Sequence, residues 1–300
     1  MTSMLMQPSV EPLSAALGAD VKGVDLSRLP DATTLRLIQD AWAKHLVLRF
    51  RGQQLSDPQL EKFSALLGPL DEVPPYTAEV SSNVDSDFVT VISNVLENGT
   101  PIGELGNSEA VWHTDMSYVE LPPMASALFA LEVPASGGDT GFCNMYKAYE
   151  TLEEEVRERI AGLECKHDST RTASGGIRKG YQAEYPPRQA PGALHPLVRV
   201  HPVTRRKALF LGRRQNADIP SLPLEDSEAL LDILWAHAAR PEFAWYQKWK
   251  VGDLVLWDNR CVMHRRDEFD GSQRRVMHRT QIAGERPIPA TALSELEAPR

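Results

Sequence analysis

Cysteine is scarce in this 300-residue chain: Cys143, Cys165 and Cys261 are its three. An odd number without a CxxC spacing argues against a disulfide framework and a thiolate zinc site. Three reduced thiols in a cytoplasmic protein are the expectation. Long apolar runs are also lacking. No stretch approaches the ~18 residues that a membrane-spanning helix needs. Residues 1–8, MTSMLMQP, lack the basic n-region and apolar core of a secretory signal. Excess positive charge is missing too. Lys and Arg total 32 against 41 Asp and Glu, a net charge of −9, which argues against a nucleic-acid surface. Small anionic substrates stay possible, because a few buried arginines can outweigh a negative exterior locally. No internal repeat or low-complexity tract occurs.

What is present is ordinary globular material: 42% apolar and 24% charged residues. A chain of this length can bury roughly 75% of its unfolded surface in one core, and residues 1–300 read as one domain. Apolar spacing predicts a helix over 31–44, opened by Asp31 with Leu35, Ile38 and Trp42 inward. A second starts at Ser56 and Pro58, buries Leu60, Phe63 and Leu67, and closes at Gly68. A third covers 146–163, and Asp226 caps a fourth that ends near Arg240. Strand-like runs occur at 46–50, 89–92, 125–131, 197–200, 208–211, 253–257 and 275–282. Many short strands with turn chemistry between them predict a mainly β sandwich or jelly roll with flanking helices. Segments 72–88 and 168–193 are long enough to be lids. The second carries Arg171, Arg178 and Lys179 and reads as a basic flap.

One constellation carries chemistry. His113 and Asp115 stand two apart in Trp112-His113-Thr114-Asp115, so on a strand they share a face. His264 follows 151 residues later. Two imidazoles and one carboxylate with open positions make the ligand set of non-haem Fe(II) oxygenases. Arg275 and Arg279 share strand parity, roughly 13 Å apart at about 3.3 Å per residue, a spacing that suits two different anionic groups. Thr140, after the turn-forming Gly137 and Gly138, offers a hydroxyl to a carboxylate. His45 suits a helix C-terminus. His167, His195, His201 and His237 lack ligand spacing, and His278 has the opposite parity to Arg275 and Arg279.

With these residues in place, the chain resembles the TauD/TfdA family of Fe(II)/2-oxoglutarate-dependent dioxygenases. The likeness runs through Leu17–Asp25, Phe50–Gln53, Trp112–Asp115, Gly137–Thr140, His195–Pro202, Trp257–Arg260 and Arg275–Arg279. The resemblance implies a double-stranded β-helix, cupin-like, with His113, Asp115 and His264 holding Fe(II). It implies that Arg275, assisted by Thr140, grips the distal carboxylate of 2-oxoglutarate, with O2 as second co-substrate. It further implies that Arg279, Tyr76 and the backbone N–H of Met116 meet a small anionic substrate, with Arg213 or Arg214 as additional candidates. Val73 stands where the taurine enzyme has a sulfonate-binding histidine. Residues 92–95 and 141–144 sit closer to the 2,4-dichlorophenoxyacetate branch. Hydroxylation beside an ether, amine or sulfur substituent is therefore expected, with a sulfonate or alkyl-sulfate dioxygenase as the alternative. A homo-oligomer without nucleic-acid or membrane partners is expected. A metal-dependent hydrolase or isomerase on a cupin-like barrel is the rival chemistry. A non-catalytic acid-binding protein would have a broken ligand set, and this one is intact.

Overall fold

A computed structural model describes residues 7–73, 84, 86–106, 110–186 and 188–292. Strand parity explains its layers. In Leu254–Asp258 every residue is buried. Leu254 and Leu256 pack with Leu48, Phe50, Ala127 and Phe129 against helix residues Ile38, Trp42, Leu60 and Phe63. The alternate residues Val255 and Trp257 face the other way, toward Phe142 and Met263. A strand used on both faces in this way must lie at the centre of a sheet between two other layers.

Among the described residues, eight strands form that sheet in the order Ser9–Pro12, Ala19–Lys22, Val47–Phe50, Leu254–Asp258, Ala125–Glu132, Val276–Ile282, Thr90–Ser93 and Glu104–Leu105. Leu256 stands opposite Leu48 on one side and Ala127 on the other. The facing sheet has the order Ala244–Gln247, Thr140–Asn144, Val262–Arg266 and Ala110–His113, antiparallel throughout. Two such sheets face to face, with helices behind the larger, make the expected jelly roll. Each large apolar side chain buried between them contributes roughly 1.5–3 kcal/mol.

The helices follow their caps. Asp31 accepts from the Thr34 N–H at 2.7 Å and opens Ala32–His45. Ser56 and Gln59 form a reciprocal capping box on Asp57–Ala65. The third predicted helix is broken in two, Met145–Glu150 and Glu154–Ile160. The Thr151 hydroxyl bonds back to the Lys147 carbonyl at 2.8 Å, and Glu153 restarts the helix from an extended backbone. The last helix, Leu224–Ala238, begins after Pro223, so Asp226 sits in its first turn and does not cap it.

Strands Glu164–Asp168 and Gly192–Pro196 pair antiparallel, which makes the predicted basic flap the tip of a hairpin. Of the other candidate lid, only residues 72, 73, 84 and 86–88 lie within the described part. The three cysteines are buried and free. Among the described residues no helix is long and apolar enough to cross a membrane.

Candidate metal and anion site

His113 ends strand Ala110–His113 and stands directly across from His264 on Val262–Arg266. Their rings lie 4.1 Å apart, centroid to centroid. Asp115 is not on the strand, as its spacing had suggested. It lies in the turn that follows, where Met116 takes a left-handed φ of 44°. The turn swings the carboxylate back, so Oδ1 sits 3.7 Å from Nε2 of both histidines.

The protonation states suit a cation. His113 Nδ1 lies 2.7 Å from the Val111 carbonyl, to which its N–H donates, so Nε2 is the nitrogen turned to the site. Burial, reinforced by His113, pushes the His264 imidazole down to about 3, so it stays neutral. Burial raises the Asp115 carboxyl, but Arg279, His264 and His113 together outweigh it and hold it well below the usual carboxylate range. Two imidazoles, that of His264 held neutral, and an ionised carboxylate fit a divalent metal. Separations of 3.7 Å lie inside the ~4.2 Å limit within which one ion can bond two donors at about 2.1 Å each.

Support behind these donors went unseen in the sequence. Asp115 Oδ2 accepts from the Ser126 hydroxyl at 2.8 Å. Ser126 Oγ accepts from Asn259 Nδ2 at 3.2 Å, and Asn259 Oδ1 accepts from the Trp257 indole at 2.8 Å. Such outer contacts orient a ligand carboxylate. The His264 Nδ1 is buried with no partner among the described residues. Packing fixes that ring instead, with Trp257 at 4.9 Å and Phe142 at 6.2 Å.

The triad opens on a cavity of about 120 Å³, and its two ends are both basic. At the deep end Thr140 pairs in register with Arg266, so both point to one face of the sheet. Trp249 donates its indole N–H to Thr140 Oγ1 at 3.0 Å, which leaves the hydroxyl proton free to donate elsewhere. Arg275 joins them, 2% exposed, its backbone N–H held by Asn94 Oδ1 at 2.9 Å. Its buried Nε has no partner among the described residues. Burial, then the neighbouring Arg266, pulls the Arg275 guanidinium down to about 9; burial brings Arg266 to about 10. Both stay charged at neutral pH. The Arg275 guanidinium, this dry and with its Nε unpartnered among the described residues, calls for an anion.

At the mouth stand Tyr118, Met116, Thr172, Ala173, Arg178 and Arg213. Arg213 donates to the Asp168 carbonyl at 2.6 Å and to the Arg171 carbonyl, tying down the hairpin tip. The Val111 N–H donates to the Ala173 carbonyl at 3.1 Å and fastens the same tip to the His113 strand. Arg279 lines the cavity between the two ends, 3.4 Å from Asp115.

Of the other sequence candidates, Arg214 turns away to Glu228 and Asp232. Tyr76 lies outside the described residues. Val73 is half-buried and is not among the described residues that line the cavity. His278 faces helix Asp57–Ala65, its Nδ1 2.5 Å from Asp57. His201, Asp258 and Cys261 also cluster. That Asp258 carboxylate is already held by Arg260 at 2.8 and 2.9 Å and by His201 at 3.0 Å. His201 Nδ1 in turn accepts the backbone N–H groups of Val203 and Thr204, so the cluster is closed.

Comparison with known proteins places this geometry. The profile of the taurine catabolism dioxygenase TauD, TfdA family matches residues 9–281. The chain is 36% identical over 292 residues to an (S)-phenoxypropionate/alpha-ketoglutarate-dioxygenase of Sphingobium herbicidovorans, covering 95% of this chain and 98% of the relative. It is 34% identical over 282 residues to an alpha-ketoglutarate-dependent 2,4-dichlorophenoxyacetate dioxygenase of Cupriavidus pinatubonensis, covering 91% and 97%. Among solved structures, AAD-2 in complex with Mn(II) and N-oxalylglycine superposes with a TM-score of 0.76 at 32% identity, covering 94% of this chain and 99% of that one.

Proposed function

The chain belongs to the taurine catabolism dioxygenase TauD, TfdA family, and from that premise we propose that it is an Fe(II)- and 2-oxoglutarate-dependent dioxygenase that hydroxylates a small organic anion. The observation that carries the reading is the convergence of His113, Asp115 and His264 on a cavity with one buried basic end and one basic mouth. His113, Asp115 and His264 would hold the iron; Arg275, Arg266 and the Thr140 hydroxyl would hold the distal carboxylate of 2-oxoglutarate. Iron and 2-oxoglutarate, when bound, supply the oxygen-activating chemistry in which the oxo acid is decarboxylated to succinate while the substrate carbon gains a hydroxyl.

The rest falls to the chain. Bidentate guanidinium pairing at the deep end fixes the co-substrate along one axis of the cavity. Ser126 and Asn259 keep the Asp115 carboxylate oriented, and the pinned hairpin tip keeps bulk water from one wall. Arg279 sits beside the triad, where it steers an anionic group of the substrate toward the metal while balancing Asp115. A hydroxyl placed on a carbon bearing an ether oxygen would collapse to a carbonyl and an alcohol, which is the outcome the phenoxy-acid relatives suggest for this chain. The basic deep end supports this reading over a metal-dependent hydrolase, which has no use for a second anion.

The test is coupling. Oxygen consumption and succinate formation should both require 2-oxoglutarate and iron, and should rise when a substrate acid is added. Metal-dependent turnover of an ester or ether without oxygen or 2-oxoglutarate would refute the reading.

A further inference from the structure

The proposed reaction leaves Arg178 unexplained. This residue rides on the hairpin tip between Glu164–Asp168 and Gly192–Pro196, yet its guanidinium lines the cavity. It stacks over the Tyr118 ring with its carbon 4.2 Å from the centroid, while Nε donates to the Arg171 carbonyl at 3.2 Å. Its remaining donor contact among the described residues is its backbone N–H to the Thr170 carbonyl at 2.8 Å, so its guanidinium meets a ring and a carbonyl. Three guanidiniums, those of Arg178, Arg213 and Arg279, gather about the Tyr118 phenol, and the carboxylate near it, Asp115, is already paired with Arg279. Arg213 is no rival for a ligand, because it already donates to two backbone carbonyls. Arg178 and Arg279 therefore retain donors, and the Tyr118 ring holds Arg178 in place before a ligand arrives.

We propose that Arg178 is a substrate-recognition residue, which with Arg279 and the Tyr118 hydroxyl seats the anionic head group of a substrate whose apolar body lies against Met116 and Ala173. The inference rests on the dioxygenase reading and adds to it the placement of the head group. The shared chemistry is an oxyanion on an apolar body, carboxylate or sulfate ester. A neutral analogue of the same shape loses the guanidinium contacts and gains nothing from this seat. The hairpin tip thus selects by charge, and Arg213 acts by pinning the tip from which Arg178 projects.

The experiment is calorimetric titration of protein loaded with Mn(II) and N-oxalylglycine, using (S)-2-phenoxypropionate, hexyl sulfate and neutral 2-phenoxyethanol as probes. Arg178→Met keeps an apolar stem over Tyr118 and removes the charge; Arg178→Lys keeps the charge. Arg178→Met should weaken binding of the preferred anion by about 10- to 100-fold, as expected for charge-assisted hydrogen bonds. Arg178→Lys should recover part of the loss, and 2-phenoxyethanol should bind equally to all three proteins. The two anions identify the head group, and tighter binding of either supports the seat. Equal weakening of the neutral probe, no weakening of either anion, or wild-type protein that binds neither anion better than 2-phenoxyethanol would each overturn it. Failure to bind N-oxalylglycine at all would instead bring down the dioxygenase reading.

Discussion

At the deep end of the cavity, Arg266 and Arg275 stand on or beside paired strands, 6% and 2% exposed, with Thr140 in register and Trp249 behind it. At the mouth, Arg178 hangs from a hairpin tip, held by a ring face and by backbone carbonyls. The two ends carry the same charge by different construction. The deep end is fixed by sheet pairing that cannot shift without unmaking the jelly roll, which suits a co-substrate that never changes. The mouth is fixed by a loop that tolerates insertion and substitution, which suits a substrate that differs between relatives.

The comparison can be broken in order of expected effect. Arg275→Ala removes the guanidinium proposed to hold the distal carboxylate, so the 2-oxoglutarate requirement should rise by on the order of 10²- to 10³-fold with metal content unchanged. Titration of succinate formation against 2-oxoglutarate reads this, and an unaltered requirement would refute the assignment. Arg266→Leu should raise the same requirement by roughly 10- to 100-fold and leave substrate affinity alone. A shift confined to substrate affinity would move Arg266 to the other end. Ser126→Ala touches neither end. It should lower metal affinity by about tenfold, measured by competition with a chelator, and its pattern separates loss of the ion from loss of either anion.

Independent of both ends is a pH slope in the metal-free protein. Burial holds His167 and His195 below their ordinary range, and His264 at about 3. Each is neutral when folded and takes a proton when unfolded below about pH 6.5. Stability should therefore fall as pH drops from about 6.5 toward 4, by at most ~1.4 kcal/mol per pH unit for each imidazole. Urea midpoints across that window, with His167→Leu flattening the slope, provide the check.

Much of the deep end was legible in the sequence, because metal and carboxylate chemistry dictate residue identity. His113 and His264 were marked by residue type, Thr140 and Arg275 took their roles from the family resemblance, and the structure brings all four to one cavity. Arg266 did not, although the signal existed: it is two residues from His264 on one strand and so shares its face. The run Arg265-Arg266-Asp267 reads as surface charge, and only the pairing with Thr140 turns Arg266 inward. Asp115 was identified for a wrong local reason, since the strand stops at His113 and a left-handed Met116 supplies the geometry. The helix expected over 146–163 failed at Thr151, where a side-chain bond to the backbone outcompeted the apolar period. The mouth was legible in part: Met116 and Arg213 were named and Arg178 was placed on a basic flap, but Tyr118 was not seen. Arg178 and Tyr118 meet only because a hairpin folds back across the triad, and loop residues carry no periodicity to read.

Leu254–Asp258 lies in the middle of the larger sheet, hydrogen-bonded between Val47–Phe50 and Ala125–Glu132. The keystone of the sheet therefore comes from the last sixth of the chain. During synthesis, the strands on either side must wait with their edges unpaired until that segment emerges. Such long-range closure slows folding and leaves sticky edges on the nascent chain. Chains truncated before residue 254 should accumulate in the insoluble fraction, and chains truncated after the last paired strand should not.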